Sequence, residues 1–475
     1  MRKISLGLTE HQQLIPDAMM VCIPGPPSER PYGVLGDAVV LSPLAIKLPF
    51  DQKPRHEMMV ISWFRGHDSY PTQLQVLLDP TKEEKRLLWN TTSKPTFEAI
   101  KELLDHPKLQ DLTPNRAFKL SPVHIPKPWG QEIWFTGIEE RGVCQIELTD
   151  GKPVILPILL AALGKGATSN PASSPILLKI LDPKPNPRTG SLYFELHQEK
   201  QEVYIVSKVD PSAWPSGKGR MKYGLNQRER LKFSKQDEFK ETFKRLCLDF
   251  EACRSEIEVE WDKKRLQEGL APKDPIPEPL LETWYSSLPP DLVQKESELQ
   301  KKLDQLTGWI DLTVGDVVKV QRTVPHSLQY GITVIEFQTP VYERFIITFN
   351  QKVLTQDHWD VEAAFDIMTI EEPTPQTLKK IAENDSVLLE EAVCFESFDV
   401  IRVSQKKTEY TLDLSDFGHA IIFALKGRLQ VNGISKLTLE MGEACFIPAA
   451  LRKLSVVVED QETVWLLGRE REGIK

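Results

Sequence analysis

The stretch Ser191-Leu-Tyr-Phe-Glu195-Leu-His197-Gln-Glu-Lys200-Gln-Glu202-Val-Tyr-Ile-Val206 decides how this chain is read. Alternate side chains of a strand share a face, so Tyr193, Glu195 and His197 point one way while Leu192, Phe194 and Leu196 point the other. A short turn follows, and a second strand carries Lys200, Glu202 and Tyr204 on one face. Paired as a hairpin, the two strands would set Glu202 opposite Glu195 and His197. Two carboxylates and an imidazole gathered in this way form a cup suited to a divalent metal.

Working outward, Gly315-Asp316 makes a turn into a strand, and Pro325-His326 follows a second turn. This is the pattern by which a double-stranded β-helix, or cupin, aims a histidine into its barrel mouth. His326 is therefore the expected fourth ligand. The remaining histidines (His11, His56, His67, His106, His124, His358 and His419) lack such a setting and read as surface or satisfied core residues. His419 has no carboxylate at a suitable sequence spacing.

The rest of the chain bounds the function. Its 475 residues suit two to four domains, and 59 Lys+Arg against 68 Asp+Glu give a net charge of −9, which argues against a nucleic-acid partner. Pro153-Val-Ile-Leu-Pro-Ile-Leu-Leu-Ala-Ala-Leu163 is about half the span a bilayer needs and contains two prolines, so it reads as a buried segment and no membrane partner is expected. The N-terminus has no apolar run of a secretory signal, so the expected location is cytoplasmic. The six scattered cysteines read as reduced thiols.

Thirty-six prolines break the chain into short segments rich in alternating Val, Ile, Thr and Tyr, which predicts a mainly β protein. Residues 228–308 differ: they are dense in Lys and Glu, with Phe239, Phe243, Leu246 and Phe250 at helical intervals, and read as a helical insertion with a solvated charged face. Its middle, Ala271 to Pro279, is too rich in proline for helix. The insertion divides a metal-binding cupin domain of residues 126–227 and 309–384. Residues 385–475 carry turns at Lys426-Gly427, Asn432-Gly433 and Gly442-Glu443 and read as a second cupin, metal-free because no histidine follows Pro448. Residues 1–125 form an α+β region without an assigned role, including strand-like Met58 to Phe64 and a short helix near Thr96 to Leu104.

The ordered pieces Lys127-Pro-Trp-Gly130, Pro175-Ile-Leu-Leu-Lys179-Ile-Leu-Asp182, Glu195-Leu-His197, Lys200-Gln-Glu202, Gly219-Arg-Met-Lys-Tyr-Gly-Leu-Asn226 and Pro325-His326 through Glu336-Phe-Gln338 resemble the type I mannose-6-phosphate isomerases. That family consists of zinc cupins with a helical insertion. The resemblance implies Glu195, His197, Glu202 and His326 as metal ligands, with Zn²⁺ as cofactor. Glu195 stands where the family usually has glutamine, and the extra carboxylate admits Mn²⁺ or Fe²⁺ as alternatives. It further implies Lys179, Lys200 and Glu336 as catalytic groups. At the family's active-site arginine this chain is read as Gln351, with Lys352 beside it, so these two are the expected substrate-binding residues.

The reaction so implied interconverts mannose 6-phosphate and fructose 6-phosphate. A proton moves between C2 and C1 through an enediol whose developing negative charge must be stabilised. The metal is expected to do this by polarising the substrate oxygens, and a lysine of lowered pKa to assist proton movement. The alternative is a non-catalytic or repurposed cupin that binds a sugar or sugar phosphate.

Overall fold

The computed structural model of the protein describes residues 19–22, 38–46, 56–64, 71–82, 84, 108–148, 151–168, 174–272, 274, 276–374 and 378–471. It is mainly β, as the alternation predicts. Contacts divide it into two units, His124–Ile133 with Leu178–Leu378, and Met1–Val123 with Trp134–Leu177 and Lys379–Lys475. Trp134–Leu177, grouped with the metal cupin by the sequence reading, thus clusters with the C-terminal strands.

The first unit is a double-stranded β-helix. One sheet runs Val317–Val320, Glu202–Val209, Ile332–Gln338, Leu177–Pro183, Gly130–Trp134, Val123–Lys127; the other runs Thr307–Leu312, Gly219–Leu225, His326–Leu328, Phe194–Leu196, Phe345–Thr348. Apolar side chains alternate inward from both sheets into one core, with Tyr204, Val206, Val320 and Val334 meeting Tyr193, Met221, Leu328 and Ile346. Gly315 sits at φ 94°, a conformation that favours glycine, at the turn into Val317–Val320.

The charged segment forms helices Gln236–Gln267, Glu278–Ser286 and Pro290–Leu306. The long helix buries Phe239, Phe243, Cys247, Phe250, Cys253, Ile257 and Trp261 at spacings of three and four residues. Three expectations need correction here. Leu246 is only partly buried, with Cys247 in its place. Helix also resumes at Glu278-Pro279, because proline is tolerated in a first turn, where its missing N–H has no partner to lose. The charged face is not wholly solvated either: Arg254 and Arg265 are buried and paired with Glu258, Glu296 and Asp262.

In the second unit, Met19–Cys22, Ala38–Ile46, His56–Phe64, Gln73–Leu78 and Leu109–Asp111 form an antiparallel sheet in chain order. Strand-like Met58 to Phe64 lies within it, while the helix expected near Thr96 to Leu104 falls outside the described residues. The apolar Pro153 to Leu163 run is a short strand followed by a buried helix, Leu156–Leu163. The C-terminal strands pair chiefly through Phe398–Asp413, Phe417–Lys426 and Lys453–Arg471, around a core that includes Trp465, Ile422 and Val456. No helix among the described residues is long and apolar enough to cross a membrane.

Candidate metal centre

Glu195 and His326 are direct cross-strand partners, so their side chains leave the sheet on one face. His197 follows Glu195 by two residues, just beyond the strand end. Glu202 reaches the same point by another route than the hairpin expected from sequence. The Phe194–Leu196 strand pairs with His326–Leu328 and Phe345–Thr348, whereas Glu202 opens a strand of the facing sheet. The turn between them crosses from sheet to sheet, and the four side chains converge across the barrel.

Glu202 Oε1 lies 3.3 Å from His197 Nε2 and 3.0 Å from His326 Nε2, and Glu195 Oε1 is 3.8 Å from His197 Nε2. Glu195, His197 and His326 each offer a ligand atom within 4.8 Å of the others. Both rings are oriented from behind: His197 Nδ1 meets the Glu343 carbonyl at 2.8 Å and His326 Nδ1 meets the Val324 carbonyl at 3.1 Å. A carbonyl only accepts, so each Nδ1 carries the proton and each Nε2 turns a lone pair into the cup. These two nitrogens are buried with no hydrogen-bond partner. Burial pushes the His197 pKa down, which keeps that ring neutral. Two imidazole lone pairs facing one carboxylate oxygen repel one another unless a cation sits between them. This donor set of two imidazoles and two carboxylates fits a divalent metal.

The turn joining Glu195 to Glu202 is held by a residue the sequence reading missed. Both carboxylate oxygens of Glu343 accept backbone N–H groups, from Gln198 at 2.9 Å, Glu199 at 2.8 Å and Lys200 at 3.1 Å. Burial would raise the Glu343 pKa, but these three donors outweigh it and hold the group below its usual value. One residue therefore orients His197 through its carbonyl and fixes the turn through its side chain.

Beside the cup runs a line of buried charges. Lys200 Nζ is 2.7 Å from Glu202 Oε2, and Lys179 Nζ is 3.2 Å from Glu336 Oε2. Burial alone would raise the Glu202 pKa, but the Lys200 ammonium reverses this, and the group is held well below its usual range. Glu336 behaves oppositely: burial, with a smaller push from Glu202, outweighs Lys179 and raises it to about 8. For Lys179, burial works downward, yet Glu336, Glu132 and Glu202 together drive its pKa up. The lowered lysine pKa expected from sequence is thus not found at Lys179, which is a firm ammonium.

A carboxyl whose pKa rises from about 4.5 to about 8 on folding binds more protons folded than unfolded across that window. Its contribution to stability is therefore present below the lower value and lost as pH climbs through the upper one. In metal-stripped protein, denaturant unfolding between pH 5 and pH 9 should show this decline, and Glu336→Gln should flatten it. An unchanged slope in the variant would assign the decline to other groups.

The two residues expected to bind substrate lie elsewhere. Lys352 Nζ is 2.9 Å from both carboxylate oxygens of Asp262 on the long helix, and Gln351 Nε2 donates to the Thr189 carbonyl at 2.7 Å. Neither is aimed at the cup. An arginine does lie within reach of the cup: Arg344, stacked on Tyr193 with its guanidinium carbon 4.7 Å from the ring centroid and hydrogen-bonded to Thr355. Burial would lower the Arg344 pKa, but Glu195 leads the influences that raise it, so the two charges lie within electrostatic reach. Reading the arginine by a fixed offset from the strand end led to Gln351. Arg344 directly follows Glu343, where the strand beside Glu195 begins.

In the C-terminal strands His419 is buried and does have a carboxylate partner, contrary to expectation. Glu470 Oε2 lies 2.8 Å from its Nδ1, and its Nε2 accepts from the Ile176 N–H at 3.1 Å. Both nitrogens are used, which leaves neither for a metal. Glu470 is brought in by pairing of the Phe417–Lys426 and Lys453–Arg471 strands, a proximity that local spacing does not record.

No protein-family model matches the chain. No curated protein matches it either. Among solved structures, it is similar to the mannose 6-phosphate isomerase from Bacillus subtilis, at 13% identity over 74% of this chain and 99% of that chain, with a TM-score of 0.50. It is similar to a zinc-bound mannose 6-phosphate isomerase to the same degree, at 13% identity, 75% and 99% coverage and a TM-score of 0.50. With its two-sheet barrel and interrupting helices, the chain has the cupin fold of the mannose 6-phosphate isomerases.

Proposed function

We propose that the protein is a metal-dependent aldose-ketose isomerase that interconverts mannose 6-phosphate and fructose 6-phosphate. The observation that carries this reading is the convergence of two inward imidazole lone pairs and two carboxylates beside a buried lysine-glutamate pair. Glu195, His197, Glu202 and His326 would hold the metal, Zn²⁺ in the first instance with Mn²⁺ or Fe²⁺ as alternatives. Bound there, a divalent cation supplies positive charge opposite the oxygens of the enediol.

The remaining steps belong to the chain's own groups. Glu336, raised to about 8, can take a proton from C2 and return it to C1 near neutral pH. Lys179 sits 3.2 Å from that carboxylate and stabilises its ionised form once the proton has been passed on. Lys200 keeps Glu202 ionised and available as a ligand. Arg344 offers a planar, permanently charged fork for the phosphate.

Purified protein incubated with mannose 6-phosphate should therefore form fructose 6-phosphate, lose that activity with a chelator, and regain it with added Zn²⁺ or Mn²⁺. Folded, metal-loaded protein without turnover would favour the binding-only cupin. Arg344→Ala should raise KM for the phosphorylated sugar by about a hundredfold, the worth of a charge-assisted contact, while leaving metal content unchanged. Lys352→Ala should leave KM essentially unaltered, because its partner is Asp262. Steady-state kinetics on the two variants separates these roles, and the reverse result would return the phosphate to Lys352.

A further inference from the structure

Residues 197–201, which carry the chain from one sheet to the other, belong to neither strand, so no ladder holds them. Their backbone is satisfied from elsewhere. Glu343 accepts the N–H groups of Gln198, Glu199 and Lys200, and the Thr339 hydroxyl accepts that of Gln201 at 3.0 Å. The carbonyls are engaged as well: the Thr339 N–H donates to Gln201 at 2.9 Å, Arg322 Nε to Glu199 at 3.2 Å and the Thr323 N–H to His197 at 2.6 Å. Three of the four N–H groups from Gln198 to Gln201 thus depend on a single carboxylate.

Both ends of this turn are ligand positions. His197 opens it, its ring held by the Glu343 carbonyl at 2.8 Å, and Glu202 follows directly after Gln201. Lys200, whose N–H Glu343 accepts, puts its ammonium 2.7 Å from Glu202. An ionised carboxylate presents acceptor oxygens and no donor, so it can take three converging N–H groups at once; a glutamine amide would turn N–H groups of its own toward them. Groups that aim metal ligands from behind commonly govern metal affinity although they never touch the ion.

We propose that Glu343 is a positioning residue of the metal centre. By clamping residues 198–200 and the His197 ring it holds the ligands converged before the ion arrives, and so raises the metal affinity while contributing no ligand atom. This rests on the reading of Glu195, His197, Glu202 and His326 as metal ligands and is independent of which sugar is turned over.

The test is the Zn²⁺ affinity of the metal-stripped full chain, measured by competition with a chromophoric chelator at a temperature where each variant is folded. Glu343→Gln should bind Zn²⁺ about 10–100-fold more weakly than the wild type. Glu343→Asp keeps the charge on a shorter stem and should fall between the two; if Glu343→Gln does not fold, its comparison with the wild type decides the matter. Glu199→Gln, at an exposed side chain of the same turn, should match the wild type. In Co²⁺-loaded protein the visible absorption of Glu343→Gln should shift, because His197 and Glu202 flank the loosened turn. A lowered Tm with unchanged Zn²⁺ affinity and an unchanged Co²⁺ spectrum would make Glu343 a brace of the fold only and overturn the proposal, as would an equal loss in Glu199→Gln. Wild-type protein that retains no Zn²⁺ would overturn it together with the cup. Isomerase turnover enters none of these readouts, so wild-type protein that binds Zn²⁺ but lacks turnover would sink the isomerase reading alone.

Discussion

Protein carrying His326→Ala is expected to leave dialysis without its divalent metal, while His358→Ala, at an exposed histidine, retains it. Structural zinc binding is worth about 10–16 kcal/mol across four ligands, so one ligand accounts for roughly 3 kcal/mol, about a hundredfold in affinity. The expected loss is larger here, because His326 is one of only two imidazole donors. Without it the metal would face two carboxylates and one imidazole. Elemental analysis of the dialysed proteins reads the result directly. Full metal occupancy in His326→Ala would remove this residue from the ligand set and, with it, the reading of the cup.

The second large effect is expected at Lys200. Glu202 is completely buried and is kept ionised by the ammonium 2.7 Å away. Lys200→Met removes that charge and leaves a buried carboxylate without its cation, a defect that costs about 3–5 kcal/mol when one partner of a buried pair is deleted. A metal in the cup would supply the missing positive charge. Chemical denaturation should therefore show a severe loss of stability in chelated Lys200→Met and recovery of much of it on adding Zn²⁺, with a smaller metal response in the wild type. Equal destabilisation with and without metal would mean that Glu202 does not meet the ion.

These expectations rest on side chains that differ in how far the sequence exposed them. Glu195 and His197 were legible because a strand's period of two fixes their common face whatever the strand pairs with. His326 was legible because a turn and a proline precede it. Glu202 was assigned to the right cluster by the wrong geometry: a short turn looks alike in sequence whether it joins two strands of one sheet or passes between facing sheets. Glu343 was invisible, since a carboxylate that caps a turn more than a hundred residues away in sequence leaves no local trace. The charged helix misled for a related reason. Counting Lys and Glu predicts a solvated surface, and nothing in the count marks Arg254 and Arg265 as the charges turned inward.

The position of the helical insertion has one more consequence. It lies wholly between Glu202 and His326, so closing the cup ties together two chain segments separated by the entire helical layer. Such a closure is entropically insensitive to the length of what it encloses: doubling the intervening chain adds only about 0.6 kcal/mol. Helices can be lengthened, trimmed or replaced there with little penalty to ligand geometry, provided that the two barrel strands that start and end the loop keep their register. The chain thus has a region in which new surface can be acquired while the cup stays fixed.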